Sequence, residues 1–185
     1  MKMTFRELDV STREWMARCL AIEESGARRP YRSPRLTDLG VREWPSLMLD
    51  AINDPDGNEV TLGRAIARSE LWHTMEMSTR HGVSRPQRVN IEHAASSLAR
   101  SEFNTWYVAG LARKLLDEGE TQCTIYRAAE PKWAEAACTR HEGAVVPLAS
   151  IVDGHRRNYW PRPGVPGAFA IPASPGCHHS ISRVD

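Results

Sequence analysis

The stretch 90–119, NIEHAASSLARSEFNTWYVAGLARKLLDEG, decides the fold. Asn90 is a good N-cap residue, Gly119 suits the C′ position, and Ile91, Ala94, Leu98, Phe103, Trp106, Ala109 and Leu116 recur at helical intervals between them. The spacing predicts one long helix from about Asn90 to Glu118. Everything before it reads as shorter helices and everything after it as strands.

Upstream, Ser11-Thr12-Arg13-Glu14 has capping-box spacing, followed by Trp15, Met16, Cys19, Leu20 and Ile22, and Gly26 and Pro30 end that helix. The run 27–34, ARRPYRSP, is too polar and too proline-broken to pack. A second helix is expected over Trp44–Ile52, with Pro45 in its first turn, stopping at the turn signal Asn53–Gly57. A third is expected from Thr61, with Leu62, Ala65, Ile66, Ser69, Trp72 and Met75 on one face and His81-Gly82 closing it. A short phrase, IARSEL at 66–71 and LARSEF at 98–103, occurs in both the third and the long helix. It reads equally as an old duplication and as coincidence.

Downstream of Gly119, Thr121–Arg127, Ala144–Leu148 and His178–Val184 have the texture of strands. Between the last two, Tyr159–Pro175 holds five of the twelve prolines and cannot be a helix or a central strand. The expectation is therefore an α+β chain. A first helix and Arg/Pro-rich arm cover residues 1–35, a helical region 36–88, and the long helix with a small irregular β-rich module 89–185.

With 185 residues, 41% hydrophobic and 25% charged, the chain has the composition of a soluble globular protein able to bury a core without disulfides. No window is apolar enough to span a membrane, and Met1–Glu7 lacks the apolar stretch of a secretory signal. Net charge is +1 and evenly spread, against the basic excess of a dedicated nucleic-acid binder. Only local clusters stand out: Arg28, Arg29, Arg32 and Arg35, and later His155, Arg156, Arg157 and Arg162. Solvated loop charge is the plain reading of both.

Four cysteines do not make a disulfide framework. Cys19 and Cys123 sit in apolar surroundings as small hydrophobes. The other two have histidine neighbours, in Cys138-Thr139-Arg140-His141 and in Cys177-His178-His179. Two such pairs separated by a loop are the layout of a closed zinc site, with Cys138, His141, Cys177 and His179 as ligands. Strand alternation puts His178 and His179 on opposite faces, so only one joins Cys177. A structural zinc would also explain how a module with few large apolar side chains holds together. The competing reading is two free thiols and histidines in polar loops. No H-E-x-x-H, G-x-S-x-G, phosphate loop or dinucleotide fingerprint is present, so no motif supports an enzyme.

The run Arg100-Ser101-Glu102-Phe103 through Gly110 resembles the helix signature of the phage head morphogenesis proteins, the Mu F-like minor head proteins. These show R-T-E, an aromatic, then a small residue and glycine at this spacing. They continue with a helix, a strand, a knuckle C-x-x-C-x-x-x-(D/N)-G-x-V-x-P-L, and a proline-rich loop ending P-x-H-P-x-C-R-C. Here the knuckle reads CTRHEGAVVPL at 138–148, with Gly143 at the family's glycine, and the ending reads PASPGCHH at 172–179. Glu135 stands where the first knuckle cysteine belongs, Ser174 replaces the loop histidine and His179 the final cysteine. The ligand set is thereby exchanged in part from thiolate to imidazole.

The resemblance covers residues 89–184. It implies a non-enzymatic minor capsid protein of the virion or procapsid, assembled in the bacterial cytoplasm and acting near the portal in head assembly, packaging or DNA delivery. The implied partners are the portal and the major capsid protein. Tyr159, Trp160 and Arg162 form the candidate docking loop, because aromatics and arginine dominate interfaces. Arg28, Arg29, Arg32 and Arg35 are candidates for contact with packaged DNA. Arg100 and Glu102 have two readings: solvated helix charges, or buried partners that lock the helix onto the C-terminal module. Alternatives from other classes are a capsid-coating protein and a small zinc-dependent nuclease using His155, His178 and His179.

Overall fold

A computed structural model describes residues 2–26, 31–80, 82–130, 141–156, 170–172 and 177–184. Five α-helices lie among them: α1 Val10–Ser25, α2 Asp38–Asn53, α3 Glu59–Ile66, α4 Ile91–Asp117 and α5 Leu148–Gly154. A hairpin of β1 Met75–Arg80 and β2 Val83–Arg88 precedes α4. After it, β3 Gln122–Arg127 is the middle strand of an antiparallel sheet, with β4 Val145–Pro147 on one side and β5 His179–Ser182 on the other. The chain is α+β, and the three C-terminal strands fall where the alternation places them.

Helix α4 is the axis of the fold. Every residue from Glu102 to Ala112 is buried, so the helix is enclosed on all sides rather than on one stripe. Helices α1, α3 and α5 and strand β5 pack around it. Close approach of α1 depends on Gly110, because a Cβ there would lie 2.7 Å from the Met16 backbone nitrogen. Strand β5 is tied on by polar groups: Asn104 donates to the His179 carbonyl at 2.8 Å and accepts from the Ser180 hydroxyl at 2.8 Å. These pairings let polar side chains sit in the core without the penalty of an unmade hydrogen bond.

One apolar cluster runs from Met16, Trp44 and Met48 through Phe103 and Trp106 to Ile125, Leu148, Ile151 and Ile181. The C-terminal strands thus share the helical core. Each of those large side chains contributes roughly 1.5–3 kcal/mol by burial. The N-terminal segment is bound to the same sheet, with Thr4 donating to the Ala128 carbonyl at 2.7 Å and Phe5 packed on Phe103 and Tyr107.

Several local expectations change. The cap of α1 is Asp9, which accepts from the Thr12 amide at 2.7 Å, not Ser11. Lys114 then bonds Asp9 at 2.7 Å and ties the start of α1 to the end of α4. Arg13 is buried and donates to the Ile52 carbonyl at the C-terminal end of α2 at 2.9 Å and to the Gly57 carbonyl of the following turn at 2.8 Å. Helix α2 begins at Asp38, capped by Thr37, so Pro45 lies in its interior.

The expected third helix stops at Ile66, where the chain makes a single 3-10 turn over Ser69–Leu71 and then enters the hairpin. The first copy of the repeated phrase therefore straddles a helix end and a turn, while the second lies inside α4. They are not a duplicated helix. Cys19 and Cys123 are buried, and burial pushes the Cys123 thiol up to about 12, the inert behaviour expected of them.

Candidate functional site

The motif residues gather into two side-chain clusters, one around Glu102 of α4 and one around His179 of β5. The first is built on Glu102, which lies on the enclosed part of α4 and is 3% exposed. Its two carboxylate oxygens accept from the Arg156 guanidinium at 3.1 and 2.7 Å, a two-pronged pair with matched planar geometry. Arg156 follows α5 and bonds Glu23 of α1 through Nε at 2.8 and 3.0 Å. His155 bonds the same Glu23 carboxylate at 3.0 Å and packs against Trp106 in a tilted ring pair, centroids 5.5 Å apart. One guanidinium thus joins α1, α4 and the segment after α5.

The electrostatics follow from that arrangement. Burial pushes the Glu23 carboxyl up, but the His155 hydrogen bond and the Arg156 charge reverse this and hold it below the ordinary value. For Arg156, burial favours losing the proton, and the Glu102 hydrogen bond and charge outweigh it. Arg156 also has φ 55, the left-handed region that side chains other than glycine rarely adopt. Such a conformation persists where surrounding contacts over-determine it, and the buried Glu102 and half-buried Glu23 carboxylates do so here. With both Glu102 oxygens held by one guanidinium, the cluster is a clamp between three elements.

The second cluster lies at β5. Cys177 and His179 share a face, with Sγ 3.7 Å from Nδ1, and His179 Nε2 is 3.0 Å from Glu142. Arg127 of β3 donates to the same Glu142 oxygen at 2.7 Å. Contact with Cys177 pushes the buried His179 up, burial opposes the shift, and the Glu142 bond adds to it. His178, the neighbour on the other face, is half-buried. Gly143 has φ 76 in the turn that carries Glu142 to this point, a conformation that suits glycine.

Of the four expected zinc ligands, Cys177 and His179 are together, His141 starts the turn bearing Glu142, and Cys138 lies outside the described residues. Cys177 and His179 are a suitable soft-and-borderline donor pair for zinc, half of a tetrahedral set. Among the described residues, no group of three or more His, Cys, Asp or Glu side chains is arranged to hold a metal ion. Of the residues named for the nuclease alternative, His155 bonds Glu23 at 3.0 Å and His179 lies beside Cys177.

The remaining candidates divide similarly. Arg100 is half-buried, and its Nε has no hydrogen-bond partner among the described residues, so Glu102 alone of the pair makes the locking contact. Arg32 is paired with Glu24 at 2.6 Å, and Arg35 through its Nε with Glu76 at 2.6 Å. Arg28, Arg29 and the docking residues Tyr159, Trp160 and Arg162 lie outside the described residues.

Sequence reasoning missed Glu23 and Asn104 altogether and read Arg156 as solvated charge. Their pairings span 133, 75 and 54 residues, and no local pattern announces them. No family model, no curated protein and no solved structure matches the chain.

Proposed function

We propose that this chain is a minor head protein of a phage, of the Mu F-like class, with an assembly role and no catalytic one. The observation that carries this reading is the use made of the signature helix. Its glutamate, Glu102, anchors the segment after α5 through Arg156, and its glycine, Gly110, is the point where α1 meets α4. A signature whose fixed positions serve packing and clamping suits a protein selected as a rigid assembly part. In this reading the portal or major capsid protein docks on the loop holding Tyr159, Trp160 and Arg162.

The same reading includes a structural zinc held by Cys177 and His179, with Cys138 and His141 completing the set. Elemental analysis of the purified chain is then expected to find one zinc per molecule, reduced well below half by Cys177→Ser or His179→Ala. A metal-free wild type that melts at the same temperature after dialysis with zinc sets that ligand assignment aside.

The assembly role is tested by deleting the gene from its phage and supplying it in trans. Loss of infectious particles, with heads still formed but empty or unstable, and rescue by the wild-type chain are expected. Normal particle yield and infectivity without the gene would refute it.

A further inference from the structure

The hairpin β1–β2 belongs to none of the clusters above. Every residue of β2 is exposed, and β1 exposes Met75, Met77 and Thr79. A lone two-stranded ribbon is marginal in water, so its presence on the surface calls for a use. Its charge is distinctive. Residues 75–88 hold Arg80, Arg85 and Arg88 against Glu76 alone, a local +2 in a chain of net charge +1. That glutamate is taken by Arg35 at 2.6 Å. Arg85 and Arg88 are exposed and form no ion pair among the described residues.

The pairing register fixes where these groups stand. Arg85 lies opposite Ser78, and Arg88 opposite Met75, so the two arginines lie on opposite faces of the ribbon. Pro86 lies opposite Met77. Val89 donates to the Thr74 carbonyl at 3.0 Å, which marks that pair as hydrogen-bonded. Counting inward by alternation makes Met77–Pro86 a non-hydrogen-bonded pair, with the Pro86 nitrogen on the outer edge. That edge lacks a donor at its middle, which discourages addition of a further strand from another protein or a second copy.

We infer that this hairpin is a ribbon for duplex DNA, inserted in the major groove with Arg85 and Arg88 reaching the phosphates of opposite walls. A two-stranded ribbon with its side chains is about 10 Å thick, and the major groove is about 12 Å wide and admits such a ribbon. Ser84 and Gln87, also exposed, are hydrogen-bonding side chains of the kind that position proteins on DNA. The inference stands on the hairpin alone and does not require the head-protein reading.

Fluorescence anisotropy with a 30-base-pair duplex of mixed sequence tests it on the full chain. The comparison is between wild type, Arg85→Ala/Arg88→Ala, and Arg42→Ala/Arg64→Ala, which removes the same charge from exposed helix positions. The hairpin variant is expected to lose roughly ten-fold in affinity at low salt, and to lessen the slope of log K on log salt by about 1.8, the value for two phosphate contacts. The helix variant should stay within about two-fold of wild type if only non-specific screening is altered. All three should melt alike. Absence of saturable binding by the wild type, equal losses in both variants, or tighter binding of poly-glutamate than of DNA would overturn the inference.

Discussion

Glu102→Gln is expected to destabilise the fold by about 3 kcal/mol, at the lower end of the cost of removing one partner from a buried ion pair. The lower end applies because Arg156 keeps Glu23 as a second carboxylate at 2.8 Å. Arg156→Ala should cost more, because it leaves the buried Glu102 carboxylate and the half-buried Glu23 carboxylate without their shared guanidinium. The double substitution Glu102→Gln/Arg156→Met should be milder than Arg156→Ala alone, since neither residual charge is then stranded at position 102. Glu43→Gln, which breaks the exposed pair with Arg68, is the control and should cost at most about 1 kcal/mol.

Urea unfolding of the five proteins decides this, and equal midpoints for Glu102→Gln and Glu43→Gln would remove the clamp from the account. The acid limb gives an independent check. Glu23 is held below its ordinary value, so its contribution is complete above about pH 4.3 and is lost as pH falls through the folded value. Wild type should therefore lose stability on acidification below pH 4.3 more steeply than Glu23→Gln.

Gly110 and Gly63 should respond to the same substitution with opposite signs. Alanine is the better helix former by about 1 kcal/mol, and that gain is available at both. At Gly63 an added Cβ meets nothing nearer than 3.6 Å, so Gly63→Ala is expected to be neutral or stabilising. At Gly110 the Cβ falls 2.7 Å from Met16 backbone nitrogen and Cγ, and 3.0 Å from its Cα. The backbone of α1 would have to retreat from α4, and overpacking of this kind costs about 1–3 kcal/mol. Gly110→Ala should therefore be destabilising by about 1 kcal/mol net, and Gly110→Val by more, as its branched side chain widens the gap further. Thermal melts suffice; a Gly110→Ala protein as stable as wild type would mean that α1 does not pack on α4 as described.

The elements legible in the sequence are those whose periodicity matches their burial. Helix α4 shows its caps and its apolar intervals, and the three C-terminal strands alternate. The hairpin was hidden because Leu62, Ile66, Ser69, Trp72 and Met75 continue a helical spacing past the true end of α3. What stops that helix is tertiary: Trp72 turns back to donate its indole N–H to the Ile66 carbonyl at 2.7 Å. Helix α5 was overlooked although Leu148, Ile151 and Val152 have helical spacing, because so short an apolar run also reads as a strand end. Among the site residues, Glu102 could be singled out by its place in a family-like phrase. Its partner could not, since Arg156 sits among arginines that look solvated and is selected by distance alone. The same holds for His179, whose pairing with Cys177 follows from alternation while its contact with Glu142 depends on a turn 37 residues away.

Quantitative mass spectrometry of density-purified phage particles, from a phage carrying this gene as the proposal requires, tests the head-protein reading most directly. The account predicts the chain in procapsids or mature particles at a copy number near that of the portal. Complete absence from both would contradict it.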